Sequence, residues 1–225
     1  ISDIETLVVK RSPKPPFITS TLQQTAINML GFGAKRTMQI AQKLYEAGLI
    51  TYMRTDSVHM SEAAASQGRK YVVDRIGSEY IPEKATTYKS SNKSAQEAHE
   101  CIRPVSFYGT SSSLGLENED KKLYDLIWKR ALSSLMKQAQ MESVALVIKI
   151  DKYEFRAIGK RVLFDGFMKV YPEKLNEIIL PQVKKGEILN LSKITGTQHF
   201  TQPPARYSEA TLIKKLEELG IGRPS

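Results

Sequence analysis

Val144-Ala145-Leu146-Val147-Ile148-Lys149-Ile150 is where the hydrophobic period of this chain changes. Val144, Leu146, Ile148 and Ile150 alternate with Ala145, Val147 and Lys149, the two-residue repeat of a strand. Both sets are mostly apolar, which predicts a largely buried strand. Upstream the repeat is helical, with Leu123, Leu126, Ile127, Ala131 and Leu135 on one face of a predicted helix over 120–137. Downstream, residues 153–158, 162–164, 167–171 and 188–194 read as further strands separated by turns. One strand lies far away in sequence: Ile4–Lys10, followed by the proline-rich linker Ser12-Pro13-Lys14-Pro15-Pro16. The economical architecture is α+β, a helical domain inserted into a β domain, with Ile4–Lys10 pairing back onto strands after residue 140.

Within the insertion, Thr21-Leu22-Gln23-Gln24 is a capping-box pattern that predicts a helix opening near Leu22 and ending at Gly31-Phe32-Gly33. A second helix over 34–47 sets Met38, Ala41, Leu44 and Tyr45 on one stripe before Gly48 stops it. Ser61 is placed to cap a third helix, Glu62–Ile76, ended by Gly77, and the polar residues 82–94 read as a surface loop. Trp128 lies near the buried stripe of its helix, a packing position rather than a base-stacking platform. Near the C-terminus Ser208 caps a helix over 209–219 that Gly220 ends.

With 225 residues, 41% hydrophobic and 25% charged, the chain has the composition of a globular protein able to bury a sizeable core. No segment reaches the length of a membrane span. Its single cysteine, Cys101, excludes an internal disulfide and reads as a packed thiol in a reducing cytoplasm. The net charge of +9 favours a polyanionic partner, since basic charge supplies sequence-independent affinity for phosphate backbones. No phosphate-cradling glycine loop is present, so nucleotide hydrolysis has no motif here. The chain opens at Ile1 without a methionine and stops at Gly222-Arg223-Pro224-Ser225, which suggests a piece of something larger.

The chemistry concentrates in Leu49-Ile50-Thr51-Tyr52-Met53-Arg54-Thr55-Asp56-Ser57. An extended backbone would put Tyr52 and Arg54 on one face, with Thr51, Met53 and Thr55 on the other. A phenol beside a fixed guanidinium suits covalent attack on a phosphodiester, the cation holding the phosphate and the charge that develops on it. As a bare pattern Tyr-x-Arg more often marks a half-buried strand edge, so context has to decide. Free tyrosine titrates near pH ~10, and attack at neutral pH therefore needs proton removal or electrostatic help. Thr51 and Thr55 could donate hydrogen bonds or simply pack, and Asp56 could order the loop. His99-Glu100 resembles the opening of a zinc-protease helix, but the second histidine that motif requires is replaced by Arg103, and metal hydrolysis is rejected. On a helix His99 and Arg103 would share a face suited to an anion. His59 and His199 read as solvent or packing residues, and Lys35, Arg36 and Lys43 as a solvated basic face.

Four segments carry a longer likeness: PPFITSTLQQTA (15–26), LGFGAKRTMQIAQKLYEAGLITYMRTDS (30–57), QEAHECIRP (96–104) and PPARYSEATLIKKLEELGIGRPS (203–225). In this order they resemble the cleavage region of type IA DNA topoisomerases, closest to the bacterial topoisomerase I branch, where Tyr-Met-Arg is the usual form. The resemblance implies part of a toroidal multi-domain enzyme: a helical tyrosine domain (13–137), a β-rich arch (1–12 and 138–202) and the truncated start of a base domain (203–225). It further implies an ATP-independent isomerase that relaxes negatively supercoiled DNA through a 5′-phosphotyrosine link. Tyr52 would be the nucleophile and Arg54 its phosphate-contacting arginine. DNA contacts would come from Arg54, His99, Arg103, Arg206 and Arg223, with Thr51, Thr55 and Asp56 in support. No metal ligand is expected in this chain. Magnesium would be held by an acidic domain outside it, leaving the chain alone inactive. The implied setting is a monomer in the bacterial nucleoid, with single-stranded and supercoiled DNA as partner. The competing expectation is a non-catalytic module that binds single-stranded nucleic acid.

Overall fold

In the computed structural model the described residues are 1–88 and 100–221. They form, in order, β1 (Asp3–Arg11), α1 (Thr19–Leu30), α2 (Ala34–Glu46), α3 (Glu62–Arg75), α4 (Asn118–Ser133), β2 (Ala139–Ile150), β3 (Tyr153–Phe164) and α5 (Glu209–Glu218), with short 3-10 turns at Ser78–Tyr80 and Gly166–Lys169. The chain divides into two compact units. One holds Ile1–Arg11, Gln138–Gly166 and Glu173–Arg206; the other holds Ser12–Lys137, Phe167–Pro172 and the residues from Tyr207 onward.

The first unit is an antiparallel sheet in the order β1-β2-β3. Its first and second strands are separated by more than 120 residues of chain, and they run in register from Asp3↔Val147 to Arg11↔Ala139. The β2–β3 hairpin closes through Asp151-Lys152, with Asp151 at φ 53°, a left-handed conformation that a short polar side chain tolerates. Residues 153–158 and 162–164 form one strand rather than two. Gly159 lets the segment after it fold back closely: a Cβ there would lie 2.7 Å from Leu180 Cγ and 2.9 Å from the Ile178 carbonyl. Lys160 and Ile178 exchange backbone hydrogen bonds at 2.8 and 3.0 Å across this contact.

The strand expected to be largely buried is not. Only Ala139, Leu146 and Val147 of β2 are buried, because a sheet of three strands with thin cover cannot enclose both faces. Residues 188–194 form no strand and are exposed. Their apolar residues lack the paired neighbour that would make a ladder.

The second unit has the larger core, built on Phe17, Leu22, Leu44, Ile50, Ile102 and Ile127, all with essentially no exposure. The helix α1 starts three residues earlier than its sequence pattern suggests. Thr21 is not the cap but the third helical residue, whose hydroxyl accepts from the Ile18 amide at 3.0 Å. Gly31 closes this helix in the left-handed region, φ 71°. The buried stripe of α2 is Thr37, Ile40, Ala41 and Leu44, one residue round from the expected one, which leaves Tyr45 exposed. Arg36 and Lys43 are not a free basic face, since they pair with Glu119 and Asp120 at the acidic start of α4. Ser61 stands before α3 but makes no side-chain cap. Trp128 is an edge-packing residue, as read from sequence: its indole N–H donates to Phe107 O at 3.0 Å and its ring meets Tyr71 edge-on.

Residues 167–171, read as a strand, instead make a 3-10 turn that docks on the helices. Phe167 is buried, and its amide donates to Lys137 O at 2.9 Å. Arg130 lies between the rings of Phe17 and Tyr171, at 4.5 and 4.6 Å from their centroids, so a buried cation is held by two aromatic faces. α5 belongs to this unit too and packs on α1, with Ser208 Oγ accepting from the Thr211 amide as the expected cap. No helix among the described residues is long and apolar enough to cross a membrane.

Candidate functional site

Gly48, at φ 69°, turns the chain out of α2 and into the tyrosine segment. From there burial alternates: Tyr52 and Arg54 are exposed, while Met53, Thr55 and Ser57 are buried. The chain bends at Thr51 and Met53 and forms no regular strand here, unlike the extended run expected from the sequence, but the alternation still leaves both the phenol and the guanidinium open to solvent. Met53 is 1% exposed, and its thioether side chain anchors the middle of the segment in the core.

The backbone of the segment is fixed from two directions. Along one side, residues 101–105 run beside it. The Thr51 amide donates to Arg103 O at 2.9 Å, the Val105 amide to Leu49 O at 2.9 Å and the Cys101 amide to His59 O at 2.7 Å. On the other side stands Thr19, fully buried in the first turn of α1. Its hydroxyl donates to Met53 O at 2.8 Å and lies 3.1 Å from Thr55 O, while it accepts from the Thr55 amide at 2.9 Å. The Thr19 amide completes the junction by donating to Thr55 O at 3.0 Å. Buried backbone groups must be paired, and a single hydroxyl here serves both carbonyl and amide. Sequence reasoning gave Thr19 no role; a hydroxyl in the first turn of a helix signals capping, and nothing local points 34 residues ahead.

Several of the sequence-selected residues have their polar groups bonded within the protein. The Thr51 hydroxyl donates to Cys101 O at 2.6 Å and accepts from the Arg103 amide at 2.9 Å. Thr55 Oγ1 accepts from the Ser57 amide at 3.1 Å. Both hydroxyls are turned to backbone rather than to solvent. Asp56 is half-buried beside them. Arg103, expected to face an anion from a helix, lies on no helix. Its side chain is 12% exposed, and its guanidinium bonds Glu100 at 2.5 Å and Pro104 O at 3.0 Å. Glu100 also accepts from the Ser61 amide at 2.8 Å. Burial alone would raise the Glu100 carboxyl, but the hydrogen bonds from Ser61 and the charge of Arg103 outweigh it and hold the group below its ordinary value. Cys101 is buried, and burial pushes its thiol up to about 12, which removes it as a nucleophile.

Arg206 is exposed and lies at the end of the β unit. His99 and Arg223 fall outside the described residues. His59 and His199 have exposed side chains, the latter 3.2 Å from Thr197 Oγ1. Among the described residues no three His, Cys, Asp or Glu side chains converge in a way that could hold a metal ion. The side chains presented at the candidate site are therefore Tyr52, Arg54 and the neighbouring Tyr45, whose ring meets that of Tyr52 at 5.1 Å between centroids and 62° between planes.

Comparison with known proteins gives consistent matches over the whole chain. A family profile described as DNA topoisomerase matches residues 1–225. DNA topoisomerase 1 of Campylobacter jejuni is 47% identical over 235 residues, covering all of this chain and 34% of that protein. DNA topoisomerase 1 of Haemophilus influenzae is 48% identical over 229 residues, again covering all of this chain and 26% of its relative. Among solved structures, full-length topoisomerase I from Thermotoga maritima superposes with a TM-score of 0.82 at 35% identity, over 99% of this chain and 38% of that one. The chain thus spans between about a quarter and two fifths of the length of these relatives.

Proposed function

The chain belongs to the bacterial type I DNA topoisomerase family, and from that premise we propose that Tyr52 is the nucleophile of a type IA strand-cleavage reaction. The phenol oxygen attacks a backbone phosphorus. A Tyr52 O–P bond forms, the bond from phosphorus to the 3′ oxygen breaks, and the phenolic proton ends on the released 3′-hydroxyl. The 5′ end of the strand is then held as a phosphotyrosine. Reversal by the 3′-hydroxyl reseals it, so one phosphodiester is exchanged for another and no ATP is needed. Arg54 supplies the charge that holds the phosphate and stabilises negative charge on its oxygens during transfer. Passage of the other strand through the gap relaxes negatively supercoiled DNA in the bacterial nucleoid.

One observation carries this reading: Tyr52 and Arg54 both stand exposed, two residues apart, on a segment whose intervening residues are buried and whose backbone is bonded from two directions. Covalent catalysis needs a nucleophile at a defined position, and a pinned backbone supplies most of that definition. DNA contacts by His99, Arg206 and Arg223 belong to the same proposal, as does a magnesium ion held by residues outside this chain.

The test uses end-labelled single-stranded DNA, with the chain alone and mixed with the separately produced remainder of a relative. A protein–DNA adduct that survives denaturation and disappears in Tyr52→Phe is the expected result. An adduct, or relaxation of supercoiled DNA, that persists in Tyr52→Phe overturns the assignment.

A further inference from the structure

The backbone bonds around Thr19 and Arg103 fix where the Cα of Tyr52 stands, but they do not fix its side chain. Tyr52 is 48% exposed, and an exposed tyrosine samples several staggered rotamers. In-line attack needs one of them. Tyr45 is the residue placed to choose. It lies on the outer face of α2, 40% exposed, whereas its neighbours Ala41 and Leu44 are buried.

The helix end brings it to the nucleophile. The Gly48 amide donates to Tyr45 O at 2.8 Å and the Leu49 amide to Leu44 O at 3.0 Å, closing a tight reversal around the left-handed Gly48. Two tyrosines seven positions apart therefore meet at 5.1 Å, edge to face, the arrangement favoured by the ring quadrupoles. Among the described residues Tyr52 is the ring partner of Tyr45.

Resting on the reading of Tyr52 as nucleophile, we infer that Tyr45 is a positioning residue: its ring restricts the Tyr52 phenol to the rotamer that faces a bound phosphodiester. The ring does this and the hydroxyl does not, so Tyr45→Phe keeps the effect and Tyr45→Leu loses it. Leucine is a good helix former at an exposed helical position, so the variant is expected to keep the fold.

Two measurements test the inference. On the chain itself, with ring-labelled tyrosine, the Tyr52 resonance is assigned by its loss in Tyr52→Phe. It is expected to move in Tyr45→Leu and to stay in place in Tyr45→Phe. An unmoved resonance in Tyr45→Leu overturns the ring contact. In the complete polypeptide carrying this segment, Tyr45→Leu is expected to form the DNA adduct roughly 3–10-fold more slowly at saturating single-stranded DNA, the range an aromatic pair supports. Half-saturation is expected to stay unchanged, with Tyr45→Phe restoring the rate. A wild-type rate in Tyr45→Leu, or a change in half-saturation alone, refutes a positioning role; the second result would make Tyr45 a DNA contact. An adduct formed by Tyr52→Phe sinks the nucleophile assignment, and with it the inference, separately from anything Tyr45 does.

Discussion

Replacing Thr19 by valine should loosen the tyrosine segment without touching any residue in it. The side chains have nearly the same shape, so the change removes a hydroxyl and leaves little cavity. Two groups lose their partner: the Met53 carbonyl, bonded at 2.8 Å, and the Thr55 amide, bonded at 2.9 Å. Thr55 O keeps its 3.0 Å bond from the Thr19 amide. Met53 and Thr55 are 1% and 3% exposed, so water does not readily replace what is lost. Each buried orphan costs about 1–3 kcal/mol. The added methyl returns about 0.8 kcal/mol if it packs. The net expectation is roughly 1–5 kcal/mol of destabilisation for Thr19→Val. Thr19→Ser keeps the hydroxyl and loses one methyl, at about 1 kcal/mol. The assay is native-state hydrogen exchange at the Thr55 amide, read beside urea unfolding. Thr19→Val should exchange there faster by one to two orders of magnitude, the equivalent of roughly 1.4–2.8 kcal/mol, while Thr19→Ser should resemble the wild type. If Thr55 stays equally protected in Thr19→Val, the hydroxyl does not hold the segment and the argument fails.

Gly48→Ala should destabilise the chain by about 1 kcal/mol in urea unfolding, and the loss should be conformational, because a Cβ there meets nothing within 4 Å. A neutral result would mean that the left-handed turn is not required. Gly68→Ala should also destabilise although alanine is the better helix former by about 1 kcal/mol, since its Cβ would fall 2.4 Å from Leu135 Cδ1 and 2.9 Å from Phe107 Cε2. Adding Leu135→Ala should recover part of the loss in a double-mutant cycle. On the alkaline side, Cys101, Tyr88 and Tyr124 are each pushed up to about 12, chiefly by burial. Above their unfolded values of roughly 8.5 and 10 the unfolded chain releases these protons and the folded chain keeps them. The stabilisation present at lower pH is therefore lost as pH rises toward 12. Urea midpoints should fall across that window, and Cys101 should resist alkylation at pH 8 in the native chain; ready alkylation would contradict its burial.

How much of this was legible in the sequence depends on the range of the interaction involved. The two-residue period at Val144–Ile150 and the strand at Ile4–Lys10 lie more than 120 residues apart, yet they pair, because neither can satisfy its backbone alone. Ser208 was readable because a cap is local. Residues 167–171 and 188–194 were misread because short apolar runs do not say what they pack against. One is a turn docked on helices; the other has no partner strand among the described residues. The burial alternation from Tyr52 to Ser57 follows the sequence directly. The supports on either side of it, Thr19 and residues 101–105, come from 34 residues before and about 50 residues after. Charge was the least legible property. Sequence counts Arg36, Lys43 and Arg103 toward a basic surface, but each is paired with a carboxylate.

That distinction separates two arginines that look alike in sequence. Arg54 is exposed and takes part in no ion pair among the described residues, whereas Arg103 is 12% exposed and bonded to Glu100. A cation already paired has surrendered most of its hydration and much of its field, and it releases few counterions when a polyanion arrives. Arg54→Ala should therefore weaken single-stranded DNA binding and reduce the slope of log affinity against log salt by about 0.7, the share of one phosphate contact. It should leave unfolding nearly unchanged. Arg103→Ala should do the reverse. It strands the part-buried Glu100 carboxylate, lifts that group back toward its ordinary value and destabilises the fold by roughly 1–3 kcal/mol. Glu100 is held low, so its stabilising pair is present above the unfolded carboxylate value near ~4.3 and lost as pH falls through the folded one. Wild type and Arg103→Ala should then converge in stability in acid and diverge at neutral pH. If the salt slope instead drops in Arg103→Ala and stays constant in Arg54→Ala, the buried arginine is the phosphate contact, and the exposed face of the tyrosine segment is not where DNA lies.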